Sequence, residues 1–366
     1  LMSGGEIVYF GPAANATDYF DLHGNVCPEF ANPADFFFMS VLSGDRRHTD
    51  RLAADWRSSP QYASLLTQMD HGSRDGVAIS DIRKKAPIWT QFLFLLRRAH
   101  RNAVRNPLIA LNRISETIIF GLMVGLVFIN SSSSSKSPSV QFRNKSGALF
   151  FITVLDFLTS AIDVVNLFFQ EKTVCFREYQ AGYYDVTPYF WSKYAAELPW
   201  AALFPYLELL ISYYMIGFTP AFSSYLMIGT FAAVASVCGM ALGLFIGAVV
   251  DDIHIALAIA PAILVPFFLL GGILVVPSSL PPYLLWINYI NPIYYCFRGM
   301  LQIEFSRPFP NCTGPQCSAQ PYLDTYGGSF SAGVDLVFAL MLWVVYSLLA
   351  YLTLLIRIRL KFRRRT

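Results

Sequence analysis

The side chains able to do chemistry are few in this chain of 366 residues, and most are charges set in apolar runs. Asp156 and Asp163 stand seven apart in one such run, a spacing that puts both on one face of a helix. Glu197 and Glu208 interrupt a second run, and Arg113 and Glu116 stand at the entry of a third. Ionisable groups within membrane-spanning helices are costly and often functional. The usual catalytic sets are missing from the sequence. Of five His, only His254 lies near an apolar run, beside Asp251 and Asp252. An aqueous turn explains that trio better than a metal site does. No His-Glu-X-X-His run occurs, and no Cys pair on the expected cytosolic side has zinc-ligand spacing. A phosphate-binding loop needs Gly-Lys followed by Ser or Thr, and none of the seven Lys follows a Gly. An intramembrane enzyme such as an acyltransferase would want a His or a nucleophile deep in a span, and the sequence offers neither.

The elements that must carry these residues follow from composition. The chain is 55% hydrophobic, 16% aromatic and 14% charged, with a net charge of +3. Soluble domains average about 25% charged. The deficit argues against a disordered chain and against a nucleic-acid partner. It is also uneven: residues 1–107 hold 23 charged side chains and residues 108–366 hold 28. A bilayer span needs about 20 mainly apolar residues. Six are expected, at about 108–130, 147–169, 189–216, 225–250, 253–276 and 334–356. Lys and Arg then divide 22 to 5 between the two sides, which predicts both termini in the cytosol. The tail RIRLKFRRR fits a stop-transfer anchor at an anionic leaflet. Residues 87–107 predict an amphipathic basic helix lying at the interface, ended by Pro107. Residues 6–10 predict a short strand and residues 43–86 a flexible connector. Met2-Ser3-Gly4-Gly5-Glu6 echoes the Ser-Gly-Gly signature of ATP-binding cassettes. A β-branched and aromatic strand follows it rather than a helix, so a turn is the better reading.

Five segments in order carry a family resemblance. They are GGEIVYFGP (Gly4 to Pro12), NPADFF with VLSG (Asn32 to Gly44), RNAVRNP (Arg101 to Pro107), EKTVCFREYQAGYYDVTPYFWSKYAAELP (Glu171 to Pro199) and NPIYYCFRGMLQIEF (Asn291 to Phe305). Together the chain resembles the C-terminal part of a half-size G-subfamily (white-type) ATP-binding-cassette exporter. The resemblance implies an all-α polytopic membrane protein of six transmembrane helices. An amphipathic connecting helix and a re-entrant segment accompany them, after a small remnant of an α/β nucleotide-binding domain. The expected division is 1–45 for that remnant, 46–86 for a linker, 87–107 for the connecting helix and 108–366 for the transmembrane domain.

The resemblance also implies residue roles. Phe150, Phe151, Leu155 and Leu158 would line a central substrate cavity together with Leu264, Val265 and Phe268. Family members often carry a polar amide where Leu155 stands, so a substrate preference does not carry over. Ile273 and Leu274 would form an apolar plug that shuts a wet path. The loop with Glu171, Arg177, Glu178, Tyr183 and Tyr184 would couple to a motor domain, with Arg98 of the connecting helix and Glu178 as partners in a polar relay. Asn311-Cys312-Thr313 is a glycosylation sequon, and Cys312 with Cys317 can bridge in an oxidising compartment if geometry allows.

The expected function is the transmembrane part of an ATP-driven exporter moving lipid, sterol or amphipathic xenobiotic by alternating access. It would work as a homodimer or heterodimer in the plasma membrane or an intracellular membrane. Walker A, signature, Walker B and switch His are absent from the sequence, so no catalysis and no cofactor are expected on this chain. ATP and Mg are implied for a complete transporter. The other reading is an ATP-independent channel or scaffold, or an inactive dimerisation partner.

Overall fold

The computed structural model describes residues 1–42, 46–74, 86–131, 137–275, 280–306, 320–325 and 331–363. The chain divides into two compact units, Leu1–Ile82 and Arg83–Thr366.

The first unit opens with a two-stranded antiparallel hairpin, β1 (Met2–Ser3) and β2 (Glu6–Ile7). Gly4 and Gly5 both have positive φ and make its turn, as that turn type requires. The strand is shorter than the sequence predicts and stops at Ile7. Helices α1 (Ala16–Leu22), α2 (Pro33–Phe36), α3 (Arg46–Ser58) and α4 (Pro60–Arg74) follow. Asn32 caps α2 by accepting from the Ala34 N–H at 3.1 Å. The expected open connector is therefore corrected: residues 46–74 are helical. Leu52, Ala53 and Trp56 recur on one face of α3 and pack with Val8, Tyr9, Phe20 and Phe37. Burying a side chain such as Phe20 contributes about 1.5–3 kcal/mol. The Arg and Asp residues of α3 lie on its other faces, which is why its composition reads as linker.

The second unit holds α5 (Ile88–Arg105), α6 (Pro107–Val127), α7 (Pro138–Gln180), α8 (Val186–Ile216), α9 (Phe222–Val249) and α10 (Ile253–Leu269). After these come α11 (Leu285–Tyr289), α12 (Pro292–Glu304), α13 (Gln320–Thr325) and α14 (Ala332–Arg363). Among the described residues four helices are long and apolar enough to cross a membrane, within α6, α7, α9 and α14. At 1.5 Å per residue α7 runs about 65 Å, well beyond the ~30 Å hydrocarbon thickness. Its end therefore projects with Glu171, Arg177 and Glu178. α8 is long and mainly apolar, but Lys193, Glu197 and Glu208 interrupt it. α10 is shorter than the fifth predicted span and stops at Leu269. Beyond it the chain bends, and Gly272 takes φ +108, a conformation that favours glycine.

α9 carries no charge and packs against α7, α8, α12 and α14 at the centre of this unit. Gly239 and Gly243 lie directly on α7: a Cβ at either would fall on the carbonyl of Phe157 or Ala161. Small residues permit this approach where apolar packing must hold helices together in lipid. α12 is buried between α9, α7 and α14.

Candidate coupling surface and intramembrane polar site

The α7–α8 connection is built by local rules. Gly182 takes φ +75 just past the end of α7, and Asp185 is extended at the cap of α8. The buried Gln91 of α5 pins this turn, accepting from the Asp185 N–H at 2.9 Å and donating to the Ala86 carbonyl at 2.6 Å. Two turns further along α5, Arg98 Nη1 donates to both oxygens of Glu178 at 2.8 and 2.9 Å. The Tyr184 hydroxyl donates to Glu178 Oε2 at 2.8 Å. Burial lowers the Arg98 pKa, but the Glu178 hydrogen bonds and charge outweigh it and hold it above the usual value. Burial, then the nearby Cys175 and Glu178, push the Tyr184 hydroxyl up, so it remains the donor. Tyr183 and Arg177 are exposed, Arg177 in the last turn of α7 where a cation suits the helix end.

A ladder of charges runs from this surface into the bundle. Glu171 accepts from Asn102 of α5 at 3.1 Å and from Lys193 of α8 at 3.0 Å. Lys193 also reaches Glu197 at 3.5 Å. Arg113 of α6 donates to Glu197 at 2.7 Å and approaches Asp163 of α7 at 3.9 Å. At the same end, Lys172 donates to the Gly247 and Val250 carbonyls and Arg357 to the Ala248 carbonyl at 2.7 Å. Two cations thus satisfy the last carbonyls of α9. Asp252 caps α10 through the N–H groups of His254 and Ile255, at 2.7 and 3.3 Å.

The residues expected to line a substrate cavity separate within one protomer. Phe150 and Leu264 are buried in the core, at 2% and 1% exposure. Phe151 and Val265 are exposed, at 44% and 46%. Leu155, Leu158 and Phe268 are half-buried. The structure brings the Phe150 and Phe268 rings to 5.7 Å, joining α7 to α10, while Phe151 turns to Phe128, 6.2 Å away. Ile273 and Leu274 stand past the end of α10, half-buried and exposed respectively. Asn311, Cys312 and Cys317 lie outside the described residues.

Sequence reasoning missed two buried ion pairs at the opposite end. Arg298 of α12 makes a fork to Asp335 of α14, with Nε at 3.0 Å from both oxygens, and Gln302 donates to the same carboxylate at 3.2 Å. Lys145 of α7 donates to Glu304 of α12 at 2.6 Å, and Glu304 also accepts from the Thr219 N–H at 3.2 and 3.1 Å. The sequence signal was a lone charge in an apolar stretch at Arg298 and Asp335, whereas Lys145 sits in the polar run QFRNKSG and gave none.

Comparison with known proteins gives this arrangement its family. The ABC-2 type transporter family model matches residues 90–305, which take in α5 through α12. The chain belongs to that family. It is 29% identical over 403 residues to the broad substrate specificity ATP-binding cassette transporter ABCG2 of Sus scrofa, covering 97% of this chain and 60% of that protein. It is 26% identical over 386 residues to Protein white of Ceratitis capitata, covering 99% and 55%. ABC transporter G family member 7 of Arabidopsis thaliana matches at 28% over 324 residues, covering 84% and 44%. The chain therefore corresponds to the membrane-domain portion of G-subfamily half-transporters and spans about half the length of the curated relatives it matches.

Proposed function

We propose that this ABC-2 family chain is the gate and coupling part of an ATP-driven exporter of amphipathic or lipid-like compounds. It would have six spans, both termini in the cytosol, and a second half-transporter as partner. The observation that carries the reading is the Arg98–Glu178–Tyr184 network, which ties α5 to the projecting α7–α8 elbow. A push on that elbow by a motor domain would move α5 and both long helices together, a rigid-body way to reorient a cavity. The exposed Phe151, Val265 and Leu274 offer the apolar surface that a second copy would close into a cavity and plug. ATP and Mg would be held by a nucleotide-binding domain, since no Gly-Lys-Ser/Thr stands in this sequence to cradle phosphates.

The test supplies such a domain, fused ahead of Leu1 or as a partner subunit, and follows a fluorescent amphiphile in inside-out vesicles. Uptake should require ATP. Arg98→Ala should keep ATP turnover and lose most transport. Uptake that is independent of ATP, or unchanged in Arg98→Ala combined with Glu178→Ala, would overturn the proposal.

A further inference from the structure

The ladder that starts at Glu171 ends in a small chamber between α6, α7, α8 and α9. Its volume is about 50 Å³, and Arg113, Glu116, Asp156, Asp163 and Glu197 supply its charges. A chamber of that volume has room for water-sized species. Thr159, Ser160 and Ser236 add hydroxyl oxygens to its wall.

The charges in this chamber do not balance. One cation, Arg113, faces four carboxylates. It is bonded to Glu197 at 2.7 Å and is only loosely in reach of Asp163 at 3.9 Å. Lys193 meets Glu197 from outside the chamber but is shared with Glu171. Glu116 accepts from the Asn112 amide at 2.8 Å, a neutral donor. Asp156 is 5% exposed and its Oδ2 has no partner among the described residues. Glu208 of α8, also 5% exposed, leaves its Oε1 unpartnered and is close enough for its charge to act on Asp156. α9 contributes only Ser236 and Met240 on its side. Uncompensated buried charge costs several kcal/mol per ion, and among the described residues no cation or donor meets Asp156 Oδ2.

From this imbalance we infer that the chamber is a binding site for a single small monovalent cation, hydronium or sodium, seated on Asp156 beside Glu208. Among the described residues no three His, Cys, Asp or Glu side chains converge as they would for a metal centre. The partnerless oxygen of Asp156 is a single negative site, which one singly charged ion would neutralise. The ladder Glu171–Lys193–Glu197–Arg113–Asp163 gives the ion a polar approach from the α5 end. This inference needs only that the bundle lies in a membrane, and it stands or falls separately from the export reading.

The experiment measures thermal unfolding of the whole chain in nanodiscs. Sodium replaces choline at constant ionic strength, and pH is varied from 5 to 8 in sodium-free buffer. The wild type should gain about 2–4 °C at tenfold saturation by the ion it uses. A response to sodium alone identifies the alkali ion, to acid alone hydronium, and to both a competition between them. Asp156→Asn should lose the response and match or exceed the wild-type midpoint without the ion, because its unpaired charge is gone. Glu208→Gln should weaken the response, and Asp251→Asn, outside the chamber, should leave it intact. Carbodiimide labelling of Asp156, read by mass spectrometry, should be slowed by the same ion. A wild type that responds to neither ion overturns the inference whatever the variants do. So does a response that survives in Asp156→Asn.

Discussion

The two faces of α7 solve the same problem in opposite ways. Toward α9, Gly239 and Gly243 let the backbones touch, and α9 contributes no charge. Toward α6 and α8, the same helix presents Asp156 and Asp163 to Arg113, Glu197 and Glu208. The dry face needs nothing beyond shape. The polar face holds together only where a counter-charge is supplied, and at Asp156 the described residues supply none. Rigidity therefore resides on one side of α7, and sensitivity to ions and to neighbouring charges on the other.

Breaking the polar face should have the largest effect. Arg113→Leu takes the nearby cation from Asp163 and leaves Glu197 with Lys193 alone, and should cost about 3 kcal/mol of unfolding free energy, the low end of the usual cost of breaking a buried pair. Pairing it with Glu197→Leu should recover part of that loss. A thermal-unfolding cycle in nanodiscs reads both, and equal losses in the single and double variants would mean that charge is not the cause. Breaking the dry face comes next. Gly243→Leu drives a side chain into the Ala161 carbonyl and should cost about 1–3 kcal/mol through overpacking. Size-exclusion profiles after graded heating check it, and salt should not alter the result. Arg98 and Glu178 sharpen the contrast from outside the bundle. Their side chains are 53% and 25% exposed, so a double-mutant cycle should give only about 0.2–1 kcal/mol, shrinking with salt. The smallest effect is expected at Asp252→Ala, where loss of the α10 cap should cost about 1 kcal/mol, read as faster hydrogen exchange confined to the first turn of α10.

The sequence showed the long apolar helices through their composition and the shared face of Asp156 and Asp163 through a spacing of seven. The end of α5 was written in Pro107, since proline turns the residue before it out of the helix, and Asn106 is extended there. Two readings went astray for physical reasons. Residues 46–74 look like linker because α3 is charged on every face but the one carrying Leu52, Ala53 and Trp56. The fifth span looks longer than α10 because apolarity continues past Gly271 and Gly272, although the backbone there has left the helix.

Composition, periodicity and charge count are local quantities, so the sequence by itself determined which segments are helical and apolar and where ionisable groups interrupt them. Tertiary structure alone decided which of those groups meet. Arg298 finds Asp335 across 37 residues and Lys145 finds Glu304 across 159, while among the described residues the charge that acts on Asp156 is another carboxylate, Glu208. Whether a buried charge is neutralised depends on what packing brings within a few ångströms of it, because in a low-dielectric interior that distance sets the energy.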